Sequence, residues 1–165
     1  MRSATPMLGA ALSFSLLVAP APAAEVPAAV AGKLNRATEL LLGEHPTESQ
    51  LRQGFLHLLD AVPLVIPQGT KAPEWLPKLA EARALVEKGS PVEPRAVALL
   101  NECYRATHGG QGFRMPPSVD SIADAREQIR LWMASVPGLV TAGDGDEAAR
   151  RLLEASAAIV TPMER

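Results

Sequence analysis

The sequence predicts an all-α protein, a compact antiparallel bundle of five to six helices. Three observations support this. Apolar residues recur at i, i+3, i+4 and i+7 through most of the chain beyond residue 26. Prolines and glycines cut that pattern into pieces of about four turns. The prevailing period is the helical 3.6, not the apolar/polar alternation of a half-buried strand.

Met1–Ala23 stands apart from this pattern. One cation, Arg2, precedes an apolar stretch from Met7 to Val18, and a small-residue and proline segment closes on Ala21-Pro22-Ala23. That is the layout of a secretory signal peptide, with cleavage expected after Ala23. The predicted organisation is a signal at 1–23 and a single all-α domain at 24–165, exported to a periplasm or secreted. The apolar stretch falls short of the about 20 residues that a membrane span requires, and no later run approaches that length. Lipid attachment would need a Cys at the cleavage site, and the one Cys in the chain is Cys103.

The first helix is expected from Pro27 to about Leu42, with proline at its first position and Gly43 past its end. Its apolar face is Val30, Leu34, Ala37 and Leu41. The second opens on Thr47-Glu48-Ser49-Gln50, a capping box in which Thr47 and Gln50 satisfy each other's orphan amides. It carries Leu51, Phe55, Leu58, Leu59 and Val62 inward and is expected to stop at Pro63. Gly54 inside it costs about 1 kcal/mol against Ala, which implies a close approach by a neighbour.

The third helix is expected from Pro73 to Lys88, with Leu76, Leu79, Ala82, Leu85 and Val86 buried and Gly89 at its end. Pro77 fits only in its first turn. Ser90-Pro91-Val92-Glu93 reads as the start of the fourth, with Ser90 as cap and Pro91 at the first position. Ala96, Leu100, Cys103 and Thr107 form its stripe, so Cys103 is expected to be a buried thiol. The helix is expected to end near Thr107 or His108, before Gly109-Gly110.

The fifth, capped at Ser118 or Ser121, carries Ile122, Ala125, Ile129, Trp132, Met133 and Val136 and is expected to stop at Pro137-Gly138. The sixth follows Gly145 with Asp146 as cap and runs to about Val160, burying Leu152, Leu153, Ile159 and Val160. Glu147 precedes Arg151 by four residues, the favourable orientation for a helical ion pair. Residues 34–61 align on 79–106 at an offset of 45, matching Leu34/Leu79, Ala37/Ala82 and Leu40/Leu85. Two similarly capped hairpins account for that without a solenoid.

Subtracting the signal removes Arg2 and leaves 15 basic against 18 acidic side chains. This balance excludes the clustered cations of a nucleic-acid surface and the composition of a disordered tail. A domain of this length buries enough surface to need neither disulfide nor structural metal.

Catalytic motifs are missing from the sequence. There is no Cys-x-x-Cys-His for covalent haem, no Glu-x-x-His pair, no His-Glu-x-x-His, no Gly-x-Ser-x-Gly, no phosphate loop and no calcium loop. Gly143-Asp144-Gly145-Asp146-Glu147 is acidic but is accounted for by turn and cap chemistry. His57 and Asp60, three apart, share a helix face: either a boundary His hydrogen-bonded to Asp60 or the general-base dyad of a small hydrolase or isomerase.

Two segments stand out from the helical pattern. His108–Pro117 contains Gly110, Gly112, Phe113 and Arg114. Its glycine amides and guanidinium suit an anion or a closing loop, and a helix cap followed by a proline stop explains the same residues. Val62-Pro63-Leu64-Val65-Ile66-Pro67 is expected to be extended, covering the open end of the core or presenting a partner surface.

The reading that follows is an exported binding or interaction module with no catalytic signature, which takes a protein partner or small ligand through residues 62–73 and 108–117, with His108, Gly110, Gly112, Phe113 and Arg114 as candidate contacts. The alternative is a periplasmic carrier of copper or non-covalent haem. For that reading His57, Cys103 and Met115 are the candidate ligands, drawn from a set that also includes His45, His108, Met133 and Met163.

Overall fold

The apolar stripes fold as six helices, with no strand among the described residues: α1 (Ala28–Leu41), α2 (Glu48–Val65), α3 (Leu76–Lys88), α4 (Pro94–Thr107), α5 (Ile122–Thr141) and α6 (Gly145–Met163). The computed structural model describes residues 25–115, 119 and 122–163. The expected signal segment and the expected caps Ser118 and Ser121 lie outside them. No helix among the described residues is long and apolar enough to cross a membrane.

The inward faces are those the period marks. Val30, Leu34, Ala37 and Leu41 of α1 are buried, as are Phe55, Leu58, Leu59 and Val62 of α2 and Ala125, Ile129, Trp132, Met133 and Val136 of α5. Helices α1 and α2, and likewise α3 and α4, run antiparallel. Lys33 of α1 reaches Asp60 of α2 while Leu41 lies against Gly54, and Lys78 and Glu81 of α3 pair with Glu102 and Arg95 of α4. Then α6 packs on α5, α2 and α4 at once. The two hairpins related by 45 residues are thus both capped by the same third hairpin.

Helix ends depart from the expected positions wherever a proline or cap was read by its presence instead of its place. The capping box at Thr47 forms with both reciprocal bonds. But α2 runs through Pro63 to Val65, and Ile66 is the first extended residue. Pro63 sits exposed in the last turn, whereas Pro67 denies the helical region to Ile66 before it. The segment 62–65 is therefore helical, with Val62 and Val65 buried and Leu64 40% exposed.

The same steric rule moves the start of α4. Pro94 keeps Glu93 extended (φ −59°, ψ 124°), so Glu93 is the cap and its carboxylate accepts from the Ala96 amide at 2.7 Å. Ser90–Glu93 closes a separate turn, with the Glu93 amide donating to the Ser90 carbonyl. In α3, Pro77 is the second helical residue, where its missing N–H is one of the orphans in any case.

Helix α5 also continues through its proline, Pro137, and past Gly138 to Thr141. It ends where Gly143 adopts φ +79° and the Asp144 amide returns to the Leu139 carbonyl at 2.9 Å, a Schellman closure. Asp144, not Asp146, then caps α6 by accepting from the Glu147 amide. Gly143 supplies the positive φ, so Gly145 has a different reason. An added Cβ there would stand 2.1 Å from the Val65 carbonyl oxygen and 2.8 Å from Pro67 Cδ. The first turn of α6 docks directly on the end of α2, which places the chain after α2 beside α6.

Candidate functional site

Residues 66–75 leave α2 at Ile66 and rejoin helix at Leu76. Between them they form one wall of a cleft of about 400 Å³ whose other walls are the last turn of α4 and the first two turns of α6. Ile66, Pro67, Pro73 and Trp75 give the loop wall an apolar surface; Ala106 and Ala149 face it from the helices. Lys71, Asp146 and Arg150 supply charge, and Thr70 and Thr107 supply hydroxyls already bonded to carbonyls. The volume lies within the range of small-molecule sites, and the mix of apolar wall and few polar groups is the usual lining.

A chain of hydrogen bonds leads from the cleft along α6. Arg150 donates to Glu147 at 2.7 Å, Arg151 bridges Glu147 and Glu154 at 2.9 Å each, and Glu154 meets His108 Nε2 at 3.2 Å. The Glu147–Arg151 pair expected from the sequence is present. His108 and Glu154 side chains are only 8% and 14% exposed. His108 Nδ1 lies 2.8 Å from the Tyr104 carbonyl, which can only accept, so Nδ1 donates and Nε2 is the nitrogen turned to the Glu154 carboxylate. Burial and the Glu154 charge push the Tyr104 hydroxyl above its ordinary range, against the Arg150 guanidinium, which acts the other way.

The glycine-rich segment is fastened to this same end. Gly109 (φ +61°) and Gly110 (φ +84°) close α4, with the Gly110 amide on the Arg105 carbonyl at 2.8 Å. Phe113 is half-buried. Its ring meets Tyr104 and Trp132 edge-on at 5.5 and 6.4 Å, and the Tyr104 ring stacks on His108 at 3.8 Å. Aromatic contact outweighs exposure because the ring finds apolar partners on both α4 and α5. Arg114 and Gly112 are exposed and Met115 is half-buried. Of the candidate contacts, His108 and Phe113 thus come together with Tyr104, Gly110 forms the turn, and Arg114 faces solvent.

No family model, curated protein or solved structure matches the chain. What the site can do therefore follows from its own groups.

The expected His57–Asp60 hydrogen bond is not formed. Asp60 accepts instead from Lys33 at 2.9 Å and Arg83 at 2.8 Å, tying α1 and α3 to α2. Burial alone would push the Asp60 carboxyl up, but the bonds and charges of Arg83 and Lys33 together outweigh it and hold the carboxyl below its usual range. His57 Nδ1 is buried without a partner among the described residues, and burial followed by the Lys33 charge pushes its imidazole below the usual value, against the opposing pull of Asp60. With no hydrogen bond from its carboxylate, the pair lacks the orientation of a general-base dyad.

Cys103 is buried, donates to the Trp75 carbonyl at 3.5 Å, and has its thiol pushed up to about 11 by burial. It sits beside Lys78 and Glu102, whereas His57 sits among Lys33, Asp60, Arg36 and Arg83, so the two candidate ligands have no charged neighbour in common. Among the described residues no three His, Cys, Asp or Glu side chains are grouped to hold a metal ion. The cleft takes its loop wall from the 62–73 stretch singled out from the sequence, which did not show the walls from α4 and α6. Its lining comes from three separated stretches, and its clearest signal was Gly145, a second glycine in a turn that needs one.

Proposed function

We propose that this chain is an exported binding module that takes a small ligand in the cleft between residues 66–75 and the facing ends of α4 and α6. The observation that carries the reading is the cleft: about 400 Å³, walled by Trp75 and two prolines, with Lys71 and Arg150 among its charged groups. Export rests on the N-terminal signal pattern, and the mature protein is expected to begin at Ala24.

The helical walls are fixed by the docking of α6 on α2 and α4, so the site needs little reorganisation to accept a ligand. The aromatic cluster of Tyr104, His108 and Phe113 adjoins it through Thr107, which lines the cleft and lies 2.9 Å from His108 Nδ1. That cluster holds the end of α4 in place.

Ala106 is exposed and lines the cleft, so Ala106→Phe fills the site without entering the core. In a small-molecule thermal-shift screen of the purified protein, ligands that raise the melting temperature of the parent should lose that effect in Ala106→Phe. Shifts of equal size in both proteins would refute the cleft as the binding site.

A further inference from the structure

Arg150 is the most informative group in the cleft. Its Nη1 is held by Glu147, while Nε is buried and, with Nη2, has no partner among the described residues. Buried donors are nearly always paired, so an orphan beside a cavity calls for an acceptor that the fold does not supply. The free edge, Nε with Nη2, is the fork that meets a carboxylate with two parallel bonds. The Arg150 side chain as a whole is 41% exposed, and it lines the cleft.

Lys71 lies on the opposite wall. Its one ion pair is a 3.9 Å contact to Glu74 in which both side chains are almost fully exposed, so the ammonium is available to a ligand. The cleft's one carboxylate is Asp146, in the first turn of α6, where the positive end of the helix offsets it. Two cations and one carboxylate thus line the space, with Arg150 keeping its pair to Glu147 and Lys71 its loose one to Glu74. Trp75, Pro67 and Pro73 line the same space and give it an apolar surface beside the two cations.

We propose that the cleft binds a small organic anion, a carboxylate carried on a flat apolar group, with Arg150 and Lys71 on the carboxylate and Trp75 against the body. This rests on the cleft being the binding site and goes on to name its ligand class.

The test is isothermal titration calorimetry of the purified protein with three probes of one shape: 2-naphthylacetate, its neutral amide 2-naphthylacetamide, and the cation 2-(2-naphthyl)ethylamine. The acid is expected to bind about tenfold more tightly than the amide, the difference a charged over a neutral hydrogen-bonding pair provides. The amine should bind most weakly. Arg150→Met and Lys71→Met should each reduce the preference for acid over amide, and Ala106→Phe should abolish binding of all three.

Equal binding of acid and amide, or tighter binding of the amine, with Ala106→Phe blocking each, overturns the ligand class and leaves the cleft as the site. Absence of binding by every probe, or binding that Ala106→Phe leaves unchanged, overturns the cleft reading and the ligand class with it.

Discussion

Replacing Gly145 by Ala should destabilise the protein, although alanine is the better helix former. The added Cβ would lie 2.1 Å from the Val65 carbonyl oxygen and 2.8 Å from Pro67 Cδ. Carbon–oxygen contacts of this kind settle at about 3.3 Å or more, so the two backbones must part by roughly 1.2 Å. Neither obstacle can rotate away, one being main chain and the other a ring with fixed φ. Overpacking of this severity belongs at the upper end of the usual range, about 2–3 kcal/mol after the small gain in helix propensity. For a domain of this size that lowers the melting temperature by roughly 6–9 °C.

The control is Gly138→Ala. Gly138 lies within α5, is exposed, and has nothing within 4 Å of an added Cβ. Relief of glycine's backbone entropy should stabilise that variant by about 0.5–1 kcal/mol. Thermal melts followed by circular dichroism on both variants give the comparison. A Gly145→Ala protein that melts within about 1 °C of the parent, or that rises together with Gly138→Ala, would refute direct docking of α6 on the end of α2.

Other variants test separate parts of the structure. Asp60→Asn should cost about 1–2 kcal/mol in urea unfolding at pH 7, because Lys33 and Arg83 lose a partly buried carboxylate. The Asp60 carboxyl is held low, so its contribution is complete above the ordinary Asp range and disappears as pH falls through the lowered value; the two unfolding curves should converge in acid. His57 gives a slope of its own. Its imidazole is depressed, so the unfolded chain takes up a proton first as pH drops below about 6.5, and stability should decline from there towards the lowered folded value. His57→Gln should flatten that decline; an unchanged slope would place the cause elsewhere. Cys103 should resist a thiol reagent at pH 8 in the native state and react at once in denaturant, while fast native labelling would contradict its burial beside the Trp75 carbonyl.

The buried faces of the helices were legible because they depend on a periodicity that every turn repeats. Val30, Leu34, Ala37 and Leu41 could be read as a stripe and are one. Gly54 was legible as a close approach, and it lies under Leu41 and Leu40 of α1. Helix ends were less so, because proline acts through its position. Pro63 and Pro137 are accommodated inside helices, whereas Pro67 and Pro94 set boundaries through the residue before them. The neighbours of Asp60 were invisible for a different reason: Lys33 and Arg83 lie 27 and 23 residues away, on helices whose relative rotation no local pattern specifies. His57 lost its expected partner to cations that a single-helix view does not contain.

The cleft follows from how α6 is packed. Ala148, Ala149, Ala155 and Ala158 are all buried, and with Gly145 they give α6 a face narrow enough to lie against α2, α4 and α5 together. A helix so placed has its first turns at the point where α2 ends, and the chain from 66 to 75 must pass over them to reach α3. The space left under that passage is the cleft. Its helical walls are backed by the core through Ala149 and the packing of α6, while the loop wall is restrained by Pro67 and Pro73, by the Thr70 hydroxyl on the Pro67 carbonyl at 2.8 Å, and by the Cys103 thiol on the Trp75 carbonyl. Each restraint removes freedom that a ligand would otherwise have to remove on binding. The small residues that make the core possible and the prolines that first read only as punctuation therefore serve one end: a preformed space, with Arg150 left half-satisfied at its edge.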